Sequence, residues 1–93
     1  MPVVLLVEDE ADIRNLIALA LAERGVEVRA AANDKAAYRA LQREGPSISV
    51  LIADINLGEG STGFDVARRA RRANPRLEVI YITGGAAPAN RST

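Results

Sequence analysis

Four short apolar runs, separated by segments of helical periodicity, limit what this chain can fold into. Val3 to Val7 is unbroken, β-branched and apolar, the pattern of a strand buried on both faces. From about Asp12 to Arg24, Ile13, Leu16, Ile17, Ala20 and Leu21 recur at helical spacing, and Gly25 stands where a helix C′ glycine belongs. Val26 to Ala30 alternates, as a half-buried strand near a sheet edge does. Asn33 or Asp34 caps a second helix that ends at Gly45-Pro46, with Ala36, Ala37, Ala40 and Leu41 facing inward. A third run through Val50, Leu51 and Ile52 stops abruptly at Asp54. A third helix spans about Phe64 to Ala73 and halts at Asn74-Pro75. The last run, Leu77 to Ile82, leads into Thr83-Gly84-Gly85, and Ala86 to Thr93 reads as loop. The order β-α-β-α-β-α-β predicts one α/β domain with a parallel sheet covered by helices on both sides.

Composition removes whole classes of function. Twelve basic and twelve acidic residues cancel, so no basic excess favours nucleic acid or a membrane surface. Cysteine and histidine are absent, which excludes a thiolate metal site and any imidazole nucleophile, base or phosphocarrier. The start has no basic leader ahead of its apolar run, and no run approaches the roughly 20 residues of a membrane span. The expectation is a cytoplasmic chain.

Three of the four strands end in polar groups: the first in Glu8 and Asp9, the third in Asp54, the fourth in Thr83. Two strand orders are common for such a sheet. In one of them, 2-1-3-4-5, the first and third strands meet at the switch point and the fourth lies beside the third. All four residues then line one crevice. Converging carboxylates repel: a like pair about 4 Å apart costs roughly 4 kcal/mol at an effective dielectric of 20. Either one carboxyl is protonated or a hard cation sits among them. Carboxylates and water suit Mg²⁺, and a cation would let a phosphoryl dianion approach Asp54, a residue type that forms acyl phosphates.

These residues resemble the receiver domain of two-component response regulators. The match runs through Leu5-Leu-Val-Glu-Asp-Glu-Ala-Asp-Ile-Arg14, Leu51-Ile-Ala-Asp-Ile-Asn-Leu57 with Gly63, and Val79-Ile-Tyr-Ile-Thr-Gly84. The resemblance implies a flavodoxin-like, doubly wound sheet of order 2-1-3-4-(5). It implies Asp54 as phosphoacceptor, Asp9 as direct Mg²⁺ ligand, Glu8 acting on the ion largely through water, and Asn56 lending its backbone carbonyl. Thr83 would be the switch hydroxyl, and Gly84 would leave room for the phosphoryl group. The implied partners are a histidine kinase or phosphotransfer protein and an output partner, with a homodimer left open. The activity is a phosphorylation switch rather than an enzyme.

Two departures accompany the likeness. The loop Gly58 to Gly63 is one residue longer than the commonest form, with Gly58 where Pro is frequent. The family also continues into a fourth helix, a fifth strand bearing a Lys and an aromatic switch residue, and a fifth helix. None of these follows Thr83, and Lys35, the sole lysine, lies in the second helix. The expectation is a receiver domain over residues 1–93 with that last portion absent and Leu77, Val79, Ile80 and Ile82 on an exposed edge. Two other readings stand beside it: a degenerate receiver serving only as an interaction module, and a Mg²⁺-dependent phosphohydrolase with an Asp nucleophile. Against the second, Glu8-Asp9-Glu10 is not the Asp-x-Asp of that class.

Bland readings exist for each residue. Asp9 can cap the first helix or lead into it, and Asp54 and Asn56 can form a turn. Arg14 is expected in solvent. Arg68, Arg69, Arg71 and Arg72 make either a solvated face or a surface for an acidic partner. Gly58, Gly60 and Gly63 fit neither the dinucleotide fingerprint nor the P-loop.

Overall fold

The computed structural model describes residues 2–57 and 62–82. Strands β1 (Val3–Val7), β2 (Glu27–Ala31), β3 (Val50–Asp54) and β4 (Glu78–Ile82) alternate with helices α1 (Ala11–Glu23), α2 (Asp34–Glu44) and α3 (Gly63–Ala73). All neighbours pair in parallel, in the order β2-β1-β3-β4. The sheet is the flavodoxin-like arrangement, with β1 and β3 side by side. Val4 sits opposite Val28 and Val50, and Leu6 opposite Ala30 and Ile52.

All five β1 residues are buried, which is why that run carries no polar alternation. The chain leaves β1 toward β2 and leaves β2 toward β3 in opposite directions. Right-handed crossovers therefore place α1 on one face and α2 with α3 on the other. The core lies on the second face. Leu5, Leu51, Ile48 and Val66 are fully buried there beside Ala37, Ala40, Ala67 and Ala70, whose small side chains bring the two helices close to the sheet. Burying each large side chain contributes about 1.5–3 kcal/mol. Arg69 lies over the Tyr38 ring, 4.6 Å from its centroid, and fastens α3 to α2.

Asn33, not Asp34, caps α2: its side chain accepts from the Ala36 N–H at 2.8 Å. Gly25 follows α1 with φ +81°, a conformation that costs glycine little.

Two faces differ from expectation. In α1, Ile13, Ile17 and Leu21 are half-buried, but Leu16 and Ala20 are exposed, Leu16 at 69%. The sheet meets a narrower stripe of the helix than the apolar residues span, and nothing described covers the outer side. Leu77, expected on the exposed edge, is buried in the α2–α3 core, whereas Ile80 is half exposed. Among the described residues β4 pairs on one side only. Phe64 crosses its outer end, with its ring 4.8 Å from that of Tyr81. No helix among the described residues is long and apolar enough to cross a membrane.

Candidate functional site

The site forms where β1 and β3 release the chain in opposite directions, the switch point of the sheet. Both strand ends are held one residue past their last ladder pair. The Glu8 N–H donates to the Ala31 carbonyl at 3.0 Å, and the Ile55 N–H to the Ile82 carbonyl at 3.0 Å. Ile82, the residue before Thr83, is the β4 partner of Asp54. Leu57 is 5% exposed and pins the start of the following loop to the core. Thr83, Gly84 and the loop glycines Gly58 and Gly60 lie outside the described residues.

Glu8, Asp9 and Asp54 converge: one carboxylate oxygen from each lies within 4.8 Å of the others. Glu8 is wholly buried, Asp54 is 5% exposed, and Asp9 faces solvent. Asp54 Oδ1 accepts from the Asn56 N–H at 3.1 Å, so the turn reading of Asp54 holds for one oxygen. Asn56 itself is exposed. Glu8 Oε2 accepts from the Glu10 N–H at 3.0 Å. Its Oε1 has no hydrogen-bond partner, the one such buried side-chain atom among the described residues. Burial pushes the Glu8 carboxyl above its ordinary pKa; the Glu10 N–H opposes this, and the carboxyls of Asp9 and Asp54 add to it.

Asp9 leads into α1 rather than capping it. Glu10 occupies the N-cap of α1 and makes no side-chain cap bond, which leaves Asp9 at the crevice mouth. Arg14 is not a solvent residue either. It is half-buried, and its Nη1 donates to the Glu8 carbonyl at 2.9 Å. No periodicity argument reveals this contact, because it depends on the path of the β1–α1 turn.

A second support lies at the start of α3 and has a sequence signal. Thr62 and Asp65 form a reciprocal capping box, the Thr-x-x-Asp variant of a known sequence pattern, so α3 begins at Gly63 rather than Phe64. The Gly63 N–H donates to the Ile55 carbonyl at 2.9 Å, laying the helix start against the backbone just beyond Asp54. Lys35 is exposed in α2 and is no part of the crevice.

Three acidic groups this close, one of them a buried carboxylate with an unpartnered oxygen, could serve as the donor set of a hard divalent cation. Mg²⁺ fits, since it takes one or two carboxylates directly and completes its shell with water. A cation held there could bring a phosphoryl dianion up to a carboxylate.

The sequence matches the family model described as the response regulator receiver domain over residues 4–92. The response regulator receiver protein CpdR of Brucella abortus is 40% identical over 86 residues, covering 92% of this chain and 69% of its own length. The transcriptional regulatory protein AfsQ1 of Streptomyces coelicolor is 37% identical over 83 residues; the match spans 89% of this chain and 35% of AfsQ1. A response regulator receiver protein from Sinorhizobium medicae superposes with a TM-score of 0.83 at 30% identity, covering 92% of this chain and 68% of that one. The response regulator TrrA of Thermotoga maritima, solved in complex with Mg²⁺-BeF, gives a TM-score of 0.78 at 30% identity, covering 89% and 70%. In sequence and in backbone alike, this chain belongs to the response regulator receiver domain family.

Proposed function

We propose that the chain is a phosphorylation switch in which Asp54 is the phosphoacceptor. The observation that carries this reading is the convergence of the Glu8, Asp9 and Asp54 carboxylates, one oxygen of each within 4.8 Å of the others, on a buried Glu8 whose Oε1 has no hydrogen-bond partner. A histidine kinase or phosphotransfer protein would donate the group. An Asp54 carboxylate oxygen attacks phosphorus in line as the phosphorus–nitrogen bond of the donor phosphohistidine breaks, and the imidazole leaves with that electron pair. The product is an acyl phosphate on Asp54.

Bound Mg²⁺ supplies positive charge against the incoming phosphoryl oxygens. Asp9 would hold it directly, Glu8 largely through water, and the Asn56 backbone carbonyl and Asp54 would complete the protein's share. The similar protein TrrA was solved in complex with Mg²⁺-BeF, which supports a Mg²⁺ site in this fold. Thr83 is the proposed switch hydroxyl. Its motion toward the phosphoryl group would bias a two-state surface for an output partner, and the chain turns over no substrate. The reading carries with it a cytoplasmic location.

Incubation with acetyl phosphate and Mg²⁺ tests the assignment by intact mass. One phosphoryl increment is expected in the wild type and none in Asp54→Asn. Equal phosphorylation of the variant refutes Asp54 as acceptor. Absence of Mg²⁺-dependent beryllofluoride binding by the wild type makes the domain a degenerate interaction module instead.

A further inference from the structure

We propose that the groove between α2 and α3 docks an acidic peptide segment of a partner protein. The formal charge of zero conceals a separation. Glu8, Asp9, Glu10 and Asp12 cluster at the start of α1, while α2 carries Lys35, Arg39 and Arg43 and α3 carries Arg68, Arg69, Arg71 and Arg72. The acids on the basic face are engaged locally. Glu44 holds Arg29 at 2.7 Å, Asp65 pairs with Arg68 and closes the capping box, and Asp34 accepts from the Lys35 N–H. Arg69 and Arg72 have no ion-pair partner among the described residues.

Those two side chains line a cavity of about 270 Å³ together with Tyr38, Leu41, Gln42 and Ala73. Arg69 and Arg72 are three residues apart on one helix face, and the Tyr38 ring fixes the Arg69 guanidinium, 4.6 Å above it. Two guanidiniums beside a partly apolar floor and an amide suit carboxylates flanking a small aliphatic side chain. A nucleic acid fits less well, because the aromatic face on which a base would stack is occupied by Arg69. A membrane fits less well too, since none of the exposed large apolar side chains lines the groove. The groove lies on the α2–α3 face, so the proposal stands independently of phosphorylation at Asp54.

Titration of the ¹⁵N-labelled full chain with a blocked Glu-Glu-Leu-Glu-Glu peptide tests this. Amide shifts at Gln42, Arg69, Arg72 and Ala73 are expected to move together and saturate. Affinity is expected to fall about tenfold or more in an Arg69→Gln/Arg72→Gln variant, and to change less than about twofold in Arg71→Gln, outside the groove. An Arg69→Glu/Arg72→Glu variant, whose dispersed spectrum reports its folding, is expected to bind the matching Lys-rich peptide instead. The proposal is overturned if the groove amides do not shift, if the double Gln variant binds as the wild type does, or if oligothymidylate or anionic vesicles bind more tightly through the same residues.

Discussion

Arg14 donates from its guanidinium to the backbone carbonyl of Glu8, 2.9 Å away and six residues earlier in the chain. The bond crosses the turn that carries Asp9 and ties the first turns of α1 to the end of β1. A hydrogen bond from a charged donor contributes about 1.5–3 kcal/mol, more than most surface contacts. Arg14→Ala is expected to lower the unfolding free energy by that amount in urea titration at neutral pH. A loss of about 0.5 kcal/mol or less, the range of an ordinary surface substitution, would remove the tie from the account.

Glu8 makes stability depend on pH in a definite direction. Burial raises its carboxyl above the ordinary value of 4.5, so the folded chain binds this proton more tightly than the unfolded chain does. The stabilisation is complete below that ordinary value and drains away as pH climbs through the raised one. In EDTA, the Glu8 contribution therefore falls toward neutrality. Glu8→Gln keeps the volume and removes the charge, so its melting temperature should gain on the wild type as pH rises. A difference between the two proteins that stays constant with pH would show that Glu8 does not titrate in this range.

The strands and the acids at their ends were legible because burial leaves little freedom. A run such as Val3 to Val7 can be apolar throughout only if both faces are covered, and the first acids after it must sit at the sheet's edge. Parallel pairing follows from the alternation of elements; the order that gathers the acids, one of two common ones, comes from the family resemblance. Helix α1 was less legible. Helical spacing identifies an apolar stripe but not how much of it the sheet reaches, and Leu16 and Ala20 share the spacing of Ile13, Ile17 and Leu21 without their burial. The Arg14 contact had no periodic signal at all. The Thr62 and Asp65 box does have one, the Thr-x-x-Asp spacing ahead of a helical stretch.

Leu16 offers a direct check on α1. At 69% exposure it has little burial to lose, so Leu16→Gln should change stability by no more than about 0.5 kcal/mol. Leu5, fully buried under α2 and α3, should cost about 2–5 kcal/mol as Leu5→Ala. Guanidinium chloride midpoints measure both. A Leu16 variant as damaged as the Leu5 variant would place that side chain in a packed interface.

Gly63 couples the start of α3 to the end of β3. A Cβ at this position would fall inside van der Waals contact of the Asp54 carbonyl oxygen, 3.0 Å from its carbonyl carbon and 3.2 Å from the Ile55 Cα. Every one of these atoms is backbone, so no side chain can swing aside. Gly63→Ala must push α3 away from the end of β3 and stretch the Gly63 N–H bond to the Ile55 carbonyl. Overpacking of this kind costs about 1–3 kcal/mol. Because the crowded atoms belong to Asp54 and Ile55, strain is shared with the Asp54 backbone and Mg²⁺ affinity should fall as well. Thr62→Ala separates the two effects: it removes the capping box at a cost of about 1 kcal/mol without steric pressure on Asp54, and should leave Mg²⁺ affinity near that of the wild type. Unfolding curves and calorimetric Mg²⁺ titrations on both variants decide the matter. Wild-type Mg²⁺ affinity in Gly63→Ala would mean that the close approach of α3 plays no part in placing the Asp54 carboxylate.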